Sequence, residues 1–220
     1  MGAFDAVDLD YLAHLHPDPG PVLRRLDAES RAEGIPSVEP PTGPLLATLT
    51  AAVGARTVLE VGTAIGYSGL WMARGLAPGG RITTIDPDAG RQARARAAFA
   101  EAGCAEVLDC RHGRALDVLP TLSGPFDVAF LDALKEELEA YLDHAVKLVR
   151  PGGLVLVDNL LWSGEAARGA PADAAPERRR ATAAVQAFNR TFLGHPLLLA
   201  TIVPVGDGVG IGVVRGAASG

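Results

Sequence analysis

The chain has 220 residues, of which 48% are hydrophobic and 21% are charged, close to the average of folded soluble proteins. This composition excludes a largely disordered chain, and the length favours a single domain over 1–220. A formal net charge of −6 argues against bulk electrostatic attraction to nucleic acid. The most apolar stretch, 197–205, is far shorter than the roughly 20 residues of a membrane-spanning helix. Because the acidic start also lacks the basic region of a signal peptide, we expect a cytoplasmic protein with no membrane partner.

The first part of the chain, 1–54, is predicted to hold helices and a connector that precede the core. A proline-rich turn at 17–21 divides residues 1–34 into two short helices, because proline disrupts a helix interior. A proline-interrupted connector follows over 35–43, and the next helix is expected over 44–54.

The remainder, 55–215, alternates short β-branched or aliphatic runs with longer amphipathic segments. This alternation predicts βαβ units and a parallel sheet. The candidate parallel strands are 57–61, 81–85, 106–110, 126–131 and 154–157. Two further apolar runs, 198–203 and 210–214, are joined by a connection short enough for an antiparallel hairpin. We therefore predict an α/β, Rossmann-like core with a seven-stranded, mostly parallel sheet, an antiparallel C-terminal hairpin and helices on both faces.

A segment rich in alanine, glycine and proline, 164–176, lies between the fifth predicted strand and a helix expected over 177–193. We interpret this segment as a mobile insertion. Loops of this kind often cover active sites, so the insertion is expected to shape a pocket.

A glycine-containing turn over 60–68 follows the first predicted strand and opens a helix. Gly62 and Gly66 permit a tight turn and the close approach of a ligand, and the helix N-terminus offers N–H groups to an anion. Ala64 replaces the second glycine of the dinucleotide pattern Gly-x-Gly-x-x-Gly, which disfavours a pyrophosphate. A smaller anion such as a carboxylate, held by Ser68 and the helix N-terminus, fits better.

Asp86 ends the second predicted strand, where an acidic residue is suited to accept hydrogen bonds from both hydroxyls of a ribose. A solvated loop carboxylate or a helix cap is the alternative for Asp86 and for Glu60. Together with the glycines, the combination favours a ligand-binding site.

Three oxygen-bearing side chains stand where the fourth and fifth predicted strands end. Asp132 follows the fourth strand, and Asp158 and Asn159 follow the fifth. In an open parallel sheet both strand ends face one crevice, so these side chains are expected to lie close together. Two close carboxylates repel, and a hard divalent cation such as Mg²⁺, Mn²⁺ or Ca²⁺ would compensate them. The alternative is that both aspartates cap the helices that follow.

Lysine is rare in this chain, since only Lys135 and Lys147 are lysines among 20 basic residues. An ammonium group can release a proton near neutral pH, whereas a guanidinium group cannot. Near a bound cation the pKa of Lys135 is expected to fall, which makes it a candidate general base for a hydroxyl group. The alternative is that Lys135 only pairs with one of the two aspartates.

Over about 35–214 the sequence resembles the metal-dependent O-methyltransferases of the catechol and caffeoyl-coenzyme A type, within the class I S-adenosylmethionine-dependent fold. The motifs that carry the resemblance are Glu60-x-Gly-Thr-x-x-Gly-Tyr-Ser68, Asp132-x-x-Lys135, Asp158-Asn-x-Leu-Trp162 with Gly164, and Pro204-Val-Gly-Asp-Gly208. Each motif alone is weak, and their joint order and spacing make the signal specific.

The resemblance implies a role for each matching residue. It implies metal ligation by Asp132, Asp158 and Asn159, with Lys135 as the base. For the cofactor S-adenosylmethionine it implies the following contacts: Gly62 and Thr63 under the methionine part, Ser68 on its carboxylate, Glu60 and Asp132 near its amine, Asp86 on the ribose, Ala115 beside the adenine, and Val38 from the connector. Trp162 would border the acceptor pocket.

The methyl acceptor stays open between two classes. One is a phenolic small molecule with two adjacent oxygens, such as a catechol. The other is tRNA, because the C-terminal part is similar to bacterial methyltransferases of 5-hydroxyuridine at the wobble position, and Arg178, Arg179 and Arg180 could meet phosphates. The alternative for these three arginines is a solvated helix N-terminus, where Glu177 balances their positive charge.

Two other classes of protein fit the sequence less well than an enzyme of this family. A non-catalytic S-adenosylmethionine-binding module would have no need of Asp132, Lys135, Asp158 and Asn159 together. An NAD-dependent dehydrogenase is disfavoured by Ala64. Members of the resembling family are often homodimers, so a homodimer is also expected.

Overall fold

The computed structural model describes residues 5–216, in which one seven-stranded sheet has the order β3-β2-β1-β4-β5-β7-β6. Its strands are β1 (Thr57–Val61), β2 (Arg81–Asp86), β3 (Leu108–His112), β4 (Phe126–Leu131), β5 (Val149–Val157), β6 (Leu198–Val203) and β7 (Val209–Val214). Strands β1 to β5 pair in parallel, and β7 runs antiparallel to both β5 and β6. The predicted Rossmann-like architecture, with its antiparallel C-terminal hairpin, is confirmed.

Helices cover both faces of this sheet. They are α1 (Ala6–Leu15), α2 (Pro21–Glu33), α3 (Thr42–Ala52), α4 (Tyr67–Gly75), α5 (Ala89–Glu101), α6 (Ala115–Val118), α7 (Leu138–Leu148), α8 (Glu165–Arg168) and α9 (Pro176–Leu193). Alternate residues of each central strand point to opposite faces. On β4, Val128 and Phe130 therefore join the core under α2 to α5, whereas Ala129 and Leu131 join the core under α6, α7 and α9.

Helix α1 contributes little to either core. Its large apolar side chains are exposed, namely Val7, Leu9, Tyr11, Leu12 and Leu15. The predicted homodimer stays a prediction. None of the helices within 5–216 is long and apolar enough to cross a membrane.

The third and fifth strands begin at residues other than those predicted, and smaller shifts of one or two residues occur at the end of β2, the end of β3 and the start of β7. The third strand begins at Leu108 instead of 106, because Ala105–Val107 forms a 3-10 turn in which the Val107 N–H donates to the Cys104 carbonyl at 3.1 Å. The fifth strand begins at Val149, ahead of a Pro-Gly-Gly sequence that conceals the strand pattern. The register between β4 and β5 shifts at that point, which absorbs the irregular residues.

The segment interpreted as a mobile insertion is partly anchored. Its first residues form α8, whose Glu165 is buried and accepts hydrogen bonds from Arg178 and Thr182 of α9. A buried charge that is paired and hydrogen-bonded fixes the elements that supply its partners. The insertion therefore holds a defined position beside the start of α9.

Asp127 joins three strands at the end of the sheet where β1 and β4 begin. Its carboxylate accepts hydrogen bonds from the backbone N–H groups of Arg56 and Thr57 at 2.7 and 2.9 Å, and from Nε of Arg150 at 2.6 Å. Burial alone would raise the pKa of Asp127, but the Arg150 guanidinium and the two N–H groups outweigh it and lower the pKa to about 2. The ionised carboxylate thus stabilises the fold.

We expect Asp127→Asn to lower the free energy of unfolding by about 2 kcal/mol near pH 7, the equivalent of the pKa shift. A carboxylate with a depressed folded-state pKa contributes stability above its ordinary pKa and loses it as the pH falls toward the folded value. The difference between wild type and variant in urea unfolding should therefore narrow below about pH 4. Asp143→Asn, at an exposed position of α7, is the control. A difference independent of pH would contradict this account.

Candidate active site

A pocket of about 590 Å³ opens where β1, β2 and β4 end and extends to the turn after β5. Its lining includes predicted site residues from six separate segments: Val38, Gly62, Thr63, Ser68, Asp86, Ala115, Asp132, Lys135, Asn159 and Trp162. A crevice at the carboxyl ends of the strands is where open α/β sheets bind ligands. The fold therefore brings together the residues that the sequence only suggested.

Gly62 is required where β1 ends. It has a positive φ of 102°, and a Cβ atom there would collide with the backbone carbonyl of Asp132. Gly66, with a φ of 91°, precedes the first residue of α4. The N-terminus of α4 therefore begins at the pocket, where its unpaired N–H groups suit an anionic group.

Glu60 is fully buried beneath this turn and is not a solvated loop carboxylate. It accepts hydrogen bonds from the hydroxyls of Ser68 and Thr84, both at 2.6 Å, and Thr84 is also bonded to Thr63. Burial raises the pKa of Glu60 to about 7. The Ser68 hydroxyl thus donates its hydrogen bond to Glu60 in this structure. Its contact with a ligand carboxylate stays a prediction.

Asp86 lies at the end of β2 with both carboxylate oxygens in use. One oxygen accepts the N–H of Ala64 at 2.9 Å, and the other accepts the N–H of Asp88 at 2.8 Å. The cap of α5 is Asp88, which binds the N–H of Arg91. Asp86 is therefore not the cap of α5; it lines the pocket, and each of its oxygens can accept a further hydrogen bond.

Asp158 is the most unusual group of the site. It is 1% exposed, and neither of its carboxylate oxygens has a hydrogen-bond partner within the described part of the chain. Burial and the neighbouring charge of Asp132 raise the pKa of Asp158 to about 7. An ionised carboxylate is costly to bury unless it is paired or coordinates a metal. The two Asp158 oxygens are therefore free to bind a cation at this position.

The donors around Asp158 fit a hard divalent cation. Asp132 supplies a second carboxylate, and Asn159, held at a positive φ of 64°, supplies an amide. Within 5–216 no group of three or more His, Cys, Asp or Glu side chains could hold a metal ion, so a three-donor set would have to include a group of another kind, such as the Asn159 amide. All-oxygen sets of this kind suit Mg²⁺, Mn²⁺ or Ca²⁺.

Lys135 begins the 3-10 turn that precedes α7 and is only 8% exposed. Its Nζ lies 3.1 Å from Oδ1 of Asp132 and 5.8 Å from the centre of the Trp162 ring. The ion pair between Lys135 and Asp132 is thus present in the structure. Neither Asp132 nor Asp158 caps the turn that follows it. The residues at the cap positions of the next turns are Leu134 and Leu161, not the two aspartates.

Trp162 sits in a strained turn after β5. Trp162 and Ser163 both have positive φ values, 50° and 52°, which non-glycine residues rarely adopt. The loop of the β6–β7 hairpin fixes this turn, since Asp207 accepts the N–H of Ser163 at 2.6 Å and a Cβ on Gly208 would collide with Leu161. The Pro204–Gly208 motif thus positions the Trp162 ring.

A polar cluster in the pocket lining, formed around Glu137, was not predicted from the sequence. Glu137 accepts hydrogen bonds from the Tyr141 hydroxyl at 2.6 Å and from Arg114 at 2.8 Å, and all three line the pocket. Glu137 belongs to the same turn as Lys135. The sequence signal for this cluster was the position of Arg114, which directly precedes the predicted cofactor residue Ala115.

The three arginines considered for RNA binding are engaged locally. Arg178 pairs with Glu165, Arg180 pairs with Glu177, and Arg179 donates to the carbonyl of Ala174. This arrangement matches the alternative of a balanced helix start and does not favour an RNA surface.

Known proteins are similar to this chain in sequence and in fold. A family model described as O-methyltransferase matches residues 22–215. A catechol O-methyltransferase of Mycobacterium tuberculosis is 40% identical over 163 residues, which are 72% of this chain and 74% of that protein.

Two solved structures contain the cofactor or its product. The O-methyltransferase TomG of Streptomyces achromogenes, in complex with SAM, is 34% identical with a TM-score of 0.83 over 96% of this chain and 97% of that chain. An O-methyltransferase of Bacillus cereus in complex with SAH is 31% identical, with a TM-score of 0.82 over the same shares. The chain therefore belongs to the O-methyltransferase family and is an S-adenosylmethionine-dependent O-methyltransferase.

Proposed function

We propose that this enzyme methylates one hydroxyl of a catechol-like small molecule and depends on a divalent cation, Mg²⁺ in the first place, held by Asp132, Asp158 and Asn159. The observation that carries the proposal is the buried carboxylate of Asp158 with two unpartnered oxygens. When bound, the cation would lower the pKa of an acceptor hydroxyl and stabilise the resulting oxyanion.

The residues of the chain supply proton transfer and orientation. In its neutral form, Nζ of Lys135 takes the proton of the acceptor hydroxyl. The acceptor oxygen then forms a bond to the methyl carbon while the sulfonium–carbon bond breaks, which yields the methyl ether and S-adenosylhomocysteine. Trp162 limits where the acceptor ring lies, and holding both reactants in line supplies much of the rate.

The cofactor is proposed to lie across the larger part of the pocket. Gly62, Thr63 and Ser68 would contact its methionine part, with Glu60 and Asp132 near the amine. Asp86 would bind the ribose, Ala115 would flank the adenine, and Val38 would contact the cofactor from the connector. In support, the pocket volume of about 590 Å³ is that of a small-molecule site, and all these residues except the buried Glu60 line it.

The proposal is tested by methyl transfer from radiolabelled S-adenosylmethionine to 4-methylcatechol, with Mg²⁺, with EDTA, and with Mg²⁺ restored. We expect transfer that EDTA abolishes and Mg²⁺ recovers. Bulk cellular tRNA serves as the competing acceptor. Undiminished transfer in EDTA would overturn the metal dependence, and transfer to tRNA but to no catechol would overturn the acceptor class.

A further inference from the structure

A second cavity of about 480 Å³ opens next to the site of methyl transfer. It shares Glu136, Asn159, Trp162 and Ala181 with the larger pocket, so the two spaces are continuous at the proposed metal ligand. An acceptor whose oxygens reach Asn159 must extend its ring substituent away from the cofactor. We call the second cavity the acceptor pocket, because that substituent would extend into it.

The acceptor pocket is lined by more acidic groups than basic ones. Glu136, Glu165, Glu177 and Asp207 line it, and Arg178 is the one basic residue in its lining. Glu165 and Arg178 cancel each other, since Nε of Arg178 donates to Glu165 at 2.7 Å. That pair leaves no positive charge in the lining to meet an anion.

The three remaining carboxylates are weakly compensated. Glu136 makes no ion pair within the described residues, and Asp207 accepts only the backbone N–H of Ser163. Glu177 pairs with Arg180 at 3.2 Å, but both side chains are exposed and Arg180 lies outside the lining. Exposed pairs of this kind neutralise each other only partly. The lining of this pocket therefore carries more negative than positive charge.

We propose that Glu136, Glu177 and Asp207 make this pocket select acceptors by charge. It takes catechol-like molecules with an uncharged or cationic substituent and disfavours those that carry a carboxylate or a phosphate. Like charges brought together in an interface cost free energy, and opposite charges raise the rate of encounter. The inference rests on the proposed function, because it assigns the substituent of that same acceptor.

The test compares three catechols of similar shape that differ in substituent charge: dopamine, 4-ethylcatechol and 3,4-dihydroxyphenylacetate. At low ionic strength we expect kcat/KM to fall in that order, with about a tenfold ratio between the cation and the anion. Added salt should reduce the ratio, because the carboxylates are near the surface. Equal kcat/KM values, or the reverse order, would overturn the inference.

A matched set of variants assigns the effect to these residues. The double variant Glu136→Gln and Glu177→Gln should reduce the ratio of cation to anion by about threefold or more. Glu106→Gln, an exposed residue before β3, removes the same kind of charge far from the pocket and should leave the ratio unchanged. A double variant that keeps the wild-type ratio would contradict the assignment.

Binding separates this inference from the proposed function. If none of the three catechols is methylated, the proposed function fails, and the charge selection is then judged from the thermal stabilisation that each compound gives in the presence of S-adenosylmethionine. Greater stabilisation by dopamine than by 3,4-dihydroxyphenylacetate supports the inference. Equal or reversed stabilisation overturns it.

Discussion

Replacing Lys135 with methionine is expected to lower kcat for methyl transfer by about 10²–10⁴-fold, the usual contribution of a general base. Nζ of Lys135 lies 3.1 Å from Asp132 in the larger pocket, where an acceptor hydroxyl would lose its proton. Methionine has a similar length but cannot take up a proton. The measurement is steady-state methyl transfer to 4-methylcatechol, together with the affinity for S-adenosylmethionine.

Two companion variants separate proton transfer from a structural ion pair. Lys135→Arg keeps the positive charge beside Asp132, but a guanidinium group does not release its proton, so this variant should be nearly as inactive. Lys147→Met alters the other lysine, which is exposed on α7, and should retain wild-type kcat. An active Lys135→Arg variant would show that the ion pair, and not proton transfer, is what the reaction needs.

The topology of the sheet could be predicted because each strand carries its own signal. The runs 57–61 and 126–131 are short, apolar and rich in β-branched or aromatic residues, and the structure places strands at these residues. The start of β3 could not be predicted, since a single backbone hydrogen bond at Cys104 decides it. Such a bond leaves no pattern in the sequence.

Some features of the site could likewise be predicted from the sequence, and others could not. Asp132, Asp158 and Asn159 could be placed together because parallel strands end at the same edge of a sheet. The bond from Arg114 to Glu137 and the charge around Asp207 depend on how helices and loops pack, and residues distant in sequence meet there. The burial of Asp158 and its lack of hydrogen-bond partners could not be predicted either, because both are properties of the folded chain alone.

Asp158→Asn is expected to abolish the stabilisation of this protein by divalent cations. In the wild type, saturating Mg²⁺ or Mn²⁺ at about 100 times the dissociation constant should add about 3 kcal/mol to the free energy of unfolding. For a chain of this length that addition raises Tm by roughly 5–10 °C. An amide at position 158 removes one of the two negative charges that a cation would bind, so the shift should disappear.

The same variant should not destabilise the protein in the absence of metal. The Asp158 carboxylate is buried without partners and is repelled by Asp132, so a neutral amide of equal size removes an unfavourable charge. We therefore expect Tm in EDTA to be equal to or above that of the wild type, while methyl transfer is lost. Asp143→Asn, on the exposed side of α7, should keep both activity and the metal-induced shift. A variant of Asp158 that unfolds more easily in EDTA, or that keeps its shift with Mg²⁺, would mean that this carboxylate serves the fold and not a cation.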